Sequence, residues 1–358
     1  MSYCIKRIIV IIISSFFISV SFCRETVKTS EINEDIFIKT SDGKYILSGE
    51  LKVPAGKGKF PVVILIPGNG PHTRHYSISG SAVFDQLAEF FIEQHIAVLQ
   101  IDKRGFGKST GPSTSEDSTT TFDLADDVES WVKYLQGRNE INNAGIGLLG
   151  HSEGSLIASI VASSKPDIKW VIMMAGPAVQ GDKIFLEQRK TMMQRNGQIN
   201  GDTMVAVLKE FERLVNFIKT DDYRDKQKFY AIGHDFIVAH GVAESEISNK
   251  FIDKVLDAYP TAWYHRFFNI DPTDYISKIK VPVLVVFAGN DLQVTLQQNI
   301  LPLSSAVNNG DNKNVLISVL PGLDHFFLTY DGKTITKHVY GKMKIASSLL
   351  NTIQQWIN

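Results

Sequence analysis

Cysteine is almost absent from this chain of 358 residues, where only Cys4 and Cys23 occur. Beyond those positions there is no thiol nucleophile, no structural disulfide and no cysteine-ligated zinc site. An excess of one charge is also lacking: the formal net charge is −1, so nothing favours nucleic acid or an anionic membrane as a partner. Internal repeats, low-complexity tracts and an H-E-x-x-H zinc pattern are missing as well. The remainder is ordinary for a globular protein, with 44% apolar and 21% charged residues.

The first residues differ in composition from the rest of the chain. Lys6 and Arg7 precede an apolar run that extends to Phe22. A short basic region before an apolar core predicts a signal peptide over 1–23, and therefore an exported protein, periplasmic or secreted. No clean A-x-A cleavage site is present, so an uncleaved leader that anchors the protein in the membrane is the alternative. After cleavage we expect no membrane contact, and we predict that the polar residues 24–33 form a linker.

Apolar runs typical of buried strands alternate with segments of helical spacing along most of the chain. After an apparent hairpin over 34–53, the runs are 61–66, 96–101, 146–149, 170–174, 281–288 and 314–320. This alternation predicts an α/β fold with a mostly parallel central sheet and helices on both faces. Between 178 and 272 the strand-like runs are missing and helical spacing prevails. We therefore predict a helical lid over 178–272, inserted into a core formed by 34–177 and 273–358.

The segment Gly150-His151-Ser152-Glu153-Gly154 fits the pattern G-x-S-x-G. An apolar strand precedes it and an amphipathic helical segment follows it. In a strand–turn–helix context this pattern indicates a nucleophile elbow, a sharp turn that exposes the serine hydroxyl. Ser152 is therefore the candidate nucleophile, and the start of the following helix would favour negative charge beside it.

A serine hydroxyl needs a base to take its proton, and the base needs an acid to orient it. In folds with a nucleophile elbow the chain order is serine, then aspartate or glutamate, then histidine. Asp291 follows the run 281–288 and His325 follows the run 314–320, so both stand just after a predicted strand. We predict the catalytic triad Ser152, Asp291 and His325.

Charge that develops in the transition state also needs hydrogen-bond donors. The backbone N–H of Glu153, the residue after the nucleophile, is expected to be one of them. The second should come from the loop that follows the strand 61–66, and we assign it to the N–H of Asn69, with Gly68 as the alternative. For the side chain of Glu153 two interpretations stay open. It either stabilises the helix start or contacts the catalytic histidine or a substrate.

Several separate motifs together resemble the α/β-hydrolase superfamily, and most of all its lid-bearing bacterial carboxylesterases. The elbow G-H-S-E-G matches letter for letter, and the loop at 68–71 matches in part, with Thr73-Arg74-His75 where the family has D-R-D. Further resemblances lie at 102–109, 260–272 and 289–294. The resemblance implies hydrolysis of carboxylic esters of small molecules without a cofactor. Related sequences are also labelled peptidases or dienelactone hydrolases.

The aromatic residues Trp263, Phe267 and Phe268 have two interpretations. They either line an acyl-binding pocket, as substrate-binding residues, or pack the base of the lid onto the core. Two other functions also stay open. A serine exopeptidase of the same fold would need a charged group for a peptide terminus. A non-catalytic binding protein on a hydrolase scaffold would usually lack a member of the triad. The sequence does not indicate an oligomeric state.

Overall fold

The computed structural model describes residues 30–112, 119–196, 201–256, 258–330, 333–334 and 343–358. The predicted signal peptide at 1–23 lies outside these residues. The predicted linker at 24–33 is wrong from Ser30 onward, because the first strand begins there and Ile32 pairs with Val53. Alternating apolar residues already start at Ile32, and its side chain packs against the core.

The central sheet has eight strands and is mostly parallel, as predicted. The strands of the protein are β1 (Ser30–Lys39), β2 (Ile46–Pro54), β3 (Phe60–Ile66), β4 (Ser77–Ile78), β5 (Ser81–Ala82), β6 (Ala97–Ile101), β7 (Ile141–His151), β8 (Trp170–Met174), β9 (Val283–Ala288), β10 (Val315–Leu320), β11 (Leu328–Tyr330), β12 (Lys333–Thr334) and β13 (Lys344–Ile345). Their order in the central sheet is β1-β2-β6-β3-β7-β8-β9-β10. Only the pairings β1–β2 and β2–β6 in it are antiparallel. The short strands β4, β5 and β11 to β13 form two small separate sheets that the sequence patterns did not indicate.

Helices connect the strands and fill the interval between β8 and β9. They are α1 (Val83–Glu93), α2 (Thr121–Gln136), α3 (Glu153–Ser164), α4 (Gly181–Asn196), α5 (Gly201–Ile218), α6 (Lys226–Ala239), α7 (Asn249–Leu256), α8 (Ala262–Asn269), α9 (Thr273–Ile276), α10 (Leu296–Asn309) and α11 (Ser347–Ile357), with a short 3₁₀ helix at Glu244–Glu246. None of the described helices is long and apolar enough to cross a membrane.

The sheet is covered on both faces, which explains its continuous apolar runs. In β3, Val62, Ile64 and Ile66 face a core shared with α2, α3 and α10. The alternate residues Val63 and Leu65 face a second core built with α1 and α11. All five side chains are at most 1% exposed. Because successive side chains of a strand point to opposite faces, a strand between two helical layers buries consecutive side chains, and these are mostly apolar.

Helices α4 to α8 form an insertion with a hydrophobic cluster of its own, and we call α4–α8 the helical insertion. Phe211, Phe229 and Phe268 are the largest fully buried side chains of this cluster. Leu156 of α3 belongs to the same cluster and joins it to the core. In the described part of 178–272 the regular elements are all helical, and the role of this segment as a lid stays a prediction.

The parallel strands bring their carboxyl ends to one edge of the sheet, which we call the carboxyl edge. Gly68 follows β3, Lys103 follows β6 and Ser152 follows β7. Asp291 follows β9 and His325 follows β10. In open α/β sheets ligands bind outside the carboxyl ends of the strands, so this edge is where a functional site is expected.

Candidate active site

Ser152 occupies a strained turn between β7 and α3. Its backbone angles are φ 55° and ψ −123°, a left-handed region that a residue with a side chain rarely adopts. Its N–H donates to the carbonyl of Met174 in the neighbouring strand at 2.9 Å, which holds the turn in place. The conformation is that of a nucleophile elbow.

The two glycines of the motif are required by close backbone contacts. A Cβ on Gly150 would lie 2.1 Å from the carbonyl oxygen of Gly154. A Cβ on Gly154 would lie 2.2 Å from the carbonyl oxygen of Ile66 in β3. Real Cβ atoms do not approach other atoms this closely, so the strand–helix crossing at Ser152 requires glycine on both sides.

Asp291 and His325 form a buried pair, as the predicted triad requires. His325 Nδ1 lies 2.7 Å from Asp291 Oδ2, and both residues are 4% exposed. The other carboxylate oxygen accepts hydrogen bonds from the backbone N–H groups of Gln293 at 2.7 Å and Val294 at 2.9 Å. An ionised carboxylate only accepts, so Nδ1 carries the proton and Nε2 is left as the base.

The described residues show no hydrogen bond between the Ser152 hydroxyl and His325. The segments that carry the two residues are linked through His151, the residue before Ser152, whose Nε2 lies 2.8 Å from the backbone carbonyl oxygen of His325. The rings of His151 and His325 pack edge to face with centroids 4.7 Å apart. In enzymes without substrate, catalytic hydrogen bonds are often long and tighten only in the substrate complex. The structure thus brings the acid and the base together, and the Ser152–His325 step of the triad stays a prediction.

His151 is a buried connector between two loops of the carboxyl edge. It is 1% exposed, and burial, together with the neighbouring His325, holds the pKa of His151 well below its usual value. The neutral ring donates from Nε2 to the His325 carbonyl, so Nδ1 must accept the hydrogen bond from the Tyr76 hydroxyl at 2.8 Å. Burial raises the pKa of Tyr76, and a backbone hydrogen bond from Gly68 opposes this rise. His151 therefore connects the loop after β3 to the loop of His325.

The loop after β3 lies directly against the nucleophile. A Cβ on Gly68 would stand 3.1 Å from Ser152 Cβ. The side chain of Asn69 accepts a hydrogen bond from the N–H of Gly70 at 2.7 Å. Within the part of the chain that the structure describes, the backbone N–H groups of Asn69 and Glu153 donate no hydrogen bond. Both predicted oxyanion donors are thus available, although their role in binding an oxyanion stays a prediction.

The side chain of Glu153 belongs to a buried polar network rather than to the histidine. It is 2% exposed, and Oε1 accepts from the Thr121 hydroxyl at 2.8 Å and from the Trp263 indole N–H at 2.7 Å. Lys103 Nζ lies 3.5 Å from Oε2 and donates to the carbonyl oxygen of Gly68 at 2.7 Å. Sequence reasoning missed Lys103 and Thr121. The available signal was a lysine directly after a buried strand, at the edge where the other site residues stand.

The aromatic residues proposed for substrate binding are packed inside the helical insertion. Trp263 is 3% exposed, Phe267 5% and Phe268 0%. The rings of Trp263 and Phe267 stack with centroids 4.7 Å apart, and Phe185 meets each of the three rings edge to face. These contacts agree with the interpretation in which the three rings pack the base of the predicted lid onto the core. Trp263 reaches the elbow through its hydrogen bond to Glu153, whereas Phe268 has no exposed surface. The assignment of the three residues to substrate binding stays a prediction.

A cavity of about 410 Å³ lies elsewhere, between the insertion and the core. Its polar lining comes from α10, α9, α4 and the residues just before α4 and α9, and includes Gln180, Lys183, Asp271, Asp274, Ser305 and Asn309. None of the predicted triad residues lines it. In the described residues, histidine, cysteine and carboxylate side chains do not gather in groups of three or more that could hold a metal ion.

The sheet order, the elbow and the buried acid–histidine pair define an α/β hydrolase. The sequence profile of the family described as serine aminopeptidase, S33, matches residues 61–329, and the chain belongs to this family.

The chain is similar, at low sequence identity, to named esterases and to a further α/β hydrolase. Esterase EstD of Thermotoga maritima is 24% identical over 312 residues, which are 87% of this chain and 65% of EstD. The chain thus matches slightly less than two thirds of the length of that relative. Esterase Pf2001 of Pyrococcus furiosus has a similar fold, with a TM-score of 0.54, 17% identity and coverage of 94% of this chain and 95% of its own. The α/β hydrolase GrgF of a Penicillium species superposes with a TM-score of 0.53 at 16% identity, covering 91% of this chain and 98% of GrgF.

Proposed function

We propose that the protein is a serine hydrolase that cleaves carboxylic esters of small molecules through an acyl-enzyme intermediate. The observation that carries the proposal is the buried His325–Asp291 hydrogen bond of 2.7 Å, at the same sheet edge as the strained Ser152. The similarity to esterase EstD supports ester bonds as the target.

The reaction takes two steps on the side chains of this site. Ser152 Oγ attacks the ester carbonyl while His325 Nε2 takes the hydroxyl proton, and Asp291 stabilises the charged imidazole. The N–H groups of Asn69 and Glu153 hold the oxyanion of the tetrahedral intermediate. His325 then protonates the leaving alcohol, and in the second step it activates a water that releases the acid. No cofactor takes part.

A serine exopeptidase is the second candidate, because the family carries the description of an aminopeptidase. Such an enzyme needs a carboxylate free to bind the substrate's α-ammonium group. Glu153 is the acidic side chain next to the nucleophile, and its oxygens are engaged by Thr121, Trp263 and Lys103. A buried carboxylate with this set of partners is poorly suited to bind a second ammonium, which favours esters over aminoacyl substrates.

The experiment is a side-by-side assay of p-nitrophenyl acetate and an aminoacyl p-nitroanilide, with a fluorophosphonate probe as a test of the nucleophile. We expect ester hydrolysis and labelling of Ser152, identified by mass spectrometry of the labelled peptide. Faster cleavage of the anilide would favour the exopeptidase. A folded protein that the probe does not label would favour the non-catalytic binding protein.

We also propose that the protein is exported, on the strength of the basic and apolar pattern over 1–23. Expression with this segment in a bacterial host should deliver the protein outside the cytoplasm. The intact mass of the recovered chain distinguishes a cleaved leader from a retained anchor. Recovery of the full-length chain in the cytoplasm alone would contradict the proposal.

A further inference from the structure

Lys103 is a buried ammonium at the carboxyl edge with a specific backbone target. It follows β6 and is 8% exposed. Its Nζ donates to the carbonyl oxygen of Gly68 at 2.7 Å. Lys103 is not part of the predicted triad, and it offers no backbone donor to the substrate in the proposed mechanism. Burial of a charged group is costly unless the group has partners. The position of this charge therefore needs an explanation.

The carbonyl that Lys103 binds belongs to the peptide unit whose N–H is the proposed oxyanion donor. A peptide unit is planar and trans, so the carbonyl oxygen of Gly68 and the N–H of Asn69 point in opposite directions. A hydrogen bond to the oxygen fixes the orientation of the whole plane. It also polarises the unit, because hydrogen bonds in series strengthen one another in a low-dielectric interior. Lys103 thus acts on the N–H of Asn69 from the far side of the peptide.

The same ammonium is connected to the second proposed donor. Lys103 Nζ lies 3.5 Å from Glu153 Oε2, and the backbone N–H of Glu153 is the other group assigned to the oxyanion. The carboxylate is held from the opposite side by Thr121 of α2 and by Trp263 of the helical insertion. One buried ion pair therefore connects both halves of the predicted oxyanion hole.

We propose that Lys103 is a positioning residue that orients and polarises the Gly68–Asn69 peptide for oxyanion binding. The proposal rests on the proposed esterase function, since it requires an oxyanion to form. Lys103 does not touch the substrate, and its effect passes through the peptide. Loss of the ammonium should weaken binding of the transition state more than binding of the substrate, so kcat should fall while KM changes little.

The test compares an oxoester with its thionoester, in which sulfur replaces the carbonyl oxygen. Sulfur is a weak hydrogen-bond acceptor, so the thionoester gains little from the oxyanion hole. We expect Lys103→Met to lower kcat for the oxoester about 10- to 100-fold, less than the roughly 10²–10³-fold loss on removing a direct donor. The kcat for the thionoester should fall by less than about twofold, so the ratio of the oxoester kcat to the thionoester kcat should fall by roughly 5- to 100-fold.

A matched control and a substitute variant separate this effect from general damage to the protein. Lys280→Met makes the same change in an exposed ion pair with Asp311 and should leave both rates unchanged. If Lys103→Met does not fold, Lys103→Met combined with Glu153→Gln takes its place, with Glu153→Gln alone as the reference, because no unpaired carboxylate then stays buried.

An oxoester-to-thionoester ratio within twofold of the wild-type value overturns the inference, whatever the size of the common loss. If the wild-type protein hydrolyses esters, such a result for the variant leaves the proposed function intact. A wild-type protein that neither hydrolyses the oxoester nor reacts with a fluorophosphonate overturns the proposed function first, and this inference with it.

Discussion

The carboxyl edge of the sheet and the helical insertion are both buried, but different interactions hold them together. At the carboxyl edge, Asp291, His325 and Glu153 each have hydrogen-bond partners at defined distances, and Ser152 sits in a strained backbone conformation. In the insertion, aromatic rings such as Phe268 pack edge to face around one another. The contacts of the first region depend on the direction and charge of polar groups, and those of the second depend mainly on how well apolar side chains fill the volume.

This contrast predicts which substitutions should affect activity and which should affect stability. A polar contact at the edge orients a reacting group, so its loss should slow the chemistry even if the fold survives. An aromatic ring in the insertion fills space, so its loss should lower the free energy of unfolding with less effect on the chemical step. The substitutions below test this separation in order of decreasing effect.

Ser152→Ala should produce the largest change. We expect kcat for p-nitrophenyl acetate to fall by more than about 10³-fold and up to roughly 10⁶-fold, as when serine hydrolases lose the nucleophile. The midpoint of thermal unfolding should change little, because alanine keeps the Cβ and the same backbone strain at this position. Residual activity above about a thousandth of wild type would exclude Ser152 as the nucleophile.

Asp291→Asn should come next, with a loss of about 10⁴-fold in kcat, the size seen when an amide replaces the orienting acid of a serine protease. The neutral amide neither stabilises a charged imidazole nor enforces the tautomer with its proton on Nδ1. Stopped assays with long incubation can measure such low rates. A fall of less than tenfold would mean that His325 is not the base or that another group orients it.

Phe268→Ala tests the other side of the comparison. Truncation of a fully buried phenylalanine should lower the free energy of unfolding by about 3–5 kcal/mol, measured by urea denaturation. The kcat of the remaining folded protein should change far less than in the two edge variants. A large rise in KM at unchanged stability would instead support Phe268 as a substrate-binding residue.

The stability of the edge should also depend on pH through His151. Its pKa is lowered in the folded state, so below about pH 6.5 the unfolded chain binds more protons at this residue. The free energy of unfolding should therefore decrease as the pH falls below that value, by up to about 1.4 kcal/mol per pH unit from this group. Other groups titrate in the same range, so the difference in slope between wild type and His151→Gln isolates the effect. Equal slopes would contradict the assignment of a buried neutral ring.

Lys280→Ala should have the smallest effect. The Lys280–Asp311 pair is largely exposed, with 61% and 95% of the two side chains accessible. Exposed ion pairs contribute about 1 kcal/mol or less, so the change in unfolding free energy should be within that amount and the activity should not change. A larger loss would show that charge matters at the surface as it does at the carboxyl edge.

The outline of the fold was predictable because its strands and helices have clear apolar patterns in the sequence. Buried strands such as β3 show continuous apolar runs, and the elbow motif stands between a strand and a helix. The chain positions of Asp291 and His325, each just after a strand, were enough to predict that they meet. The short strands β11 to β13 were not predictable, since a few residues carry no readable period.

The buried polar network was much harder to predict. Nothing in the local sequence indicates that Glu153 accepts from Trp263, because 110 residues separate them and the contact depends on how α8 docks against α3. The same holds for Lys103, whose partner Gly68 belongs to another loop. Hydrogen bonds between distant loops follow from packing, which has no local signature.

The sequence by itself determined the alternation of strands and helices, the glycines that permit the elbow and the order of the predicted triad residues. These follow from backbone sterics and apolar periodicity, which act over a few neighbouring residues. Tertiary structure decided which other polar groups meet: His151 with Tyr76, Glu153 with Trp263, and Lys103 with the carbonyl of the Gly68–Asn69 peptide. A hydrogen bond needs its two heavy atoms to lie within about 3 Å of each other. Only the packing of whole layers brings loops from distant parts of the sequence to that distance.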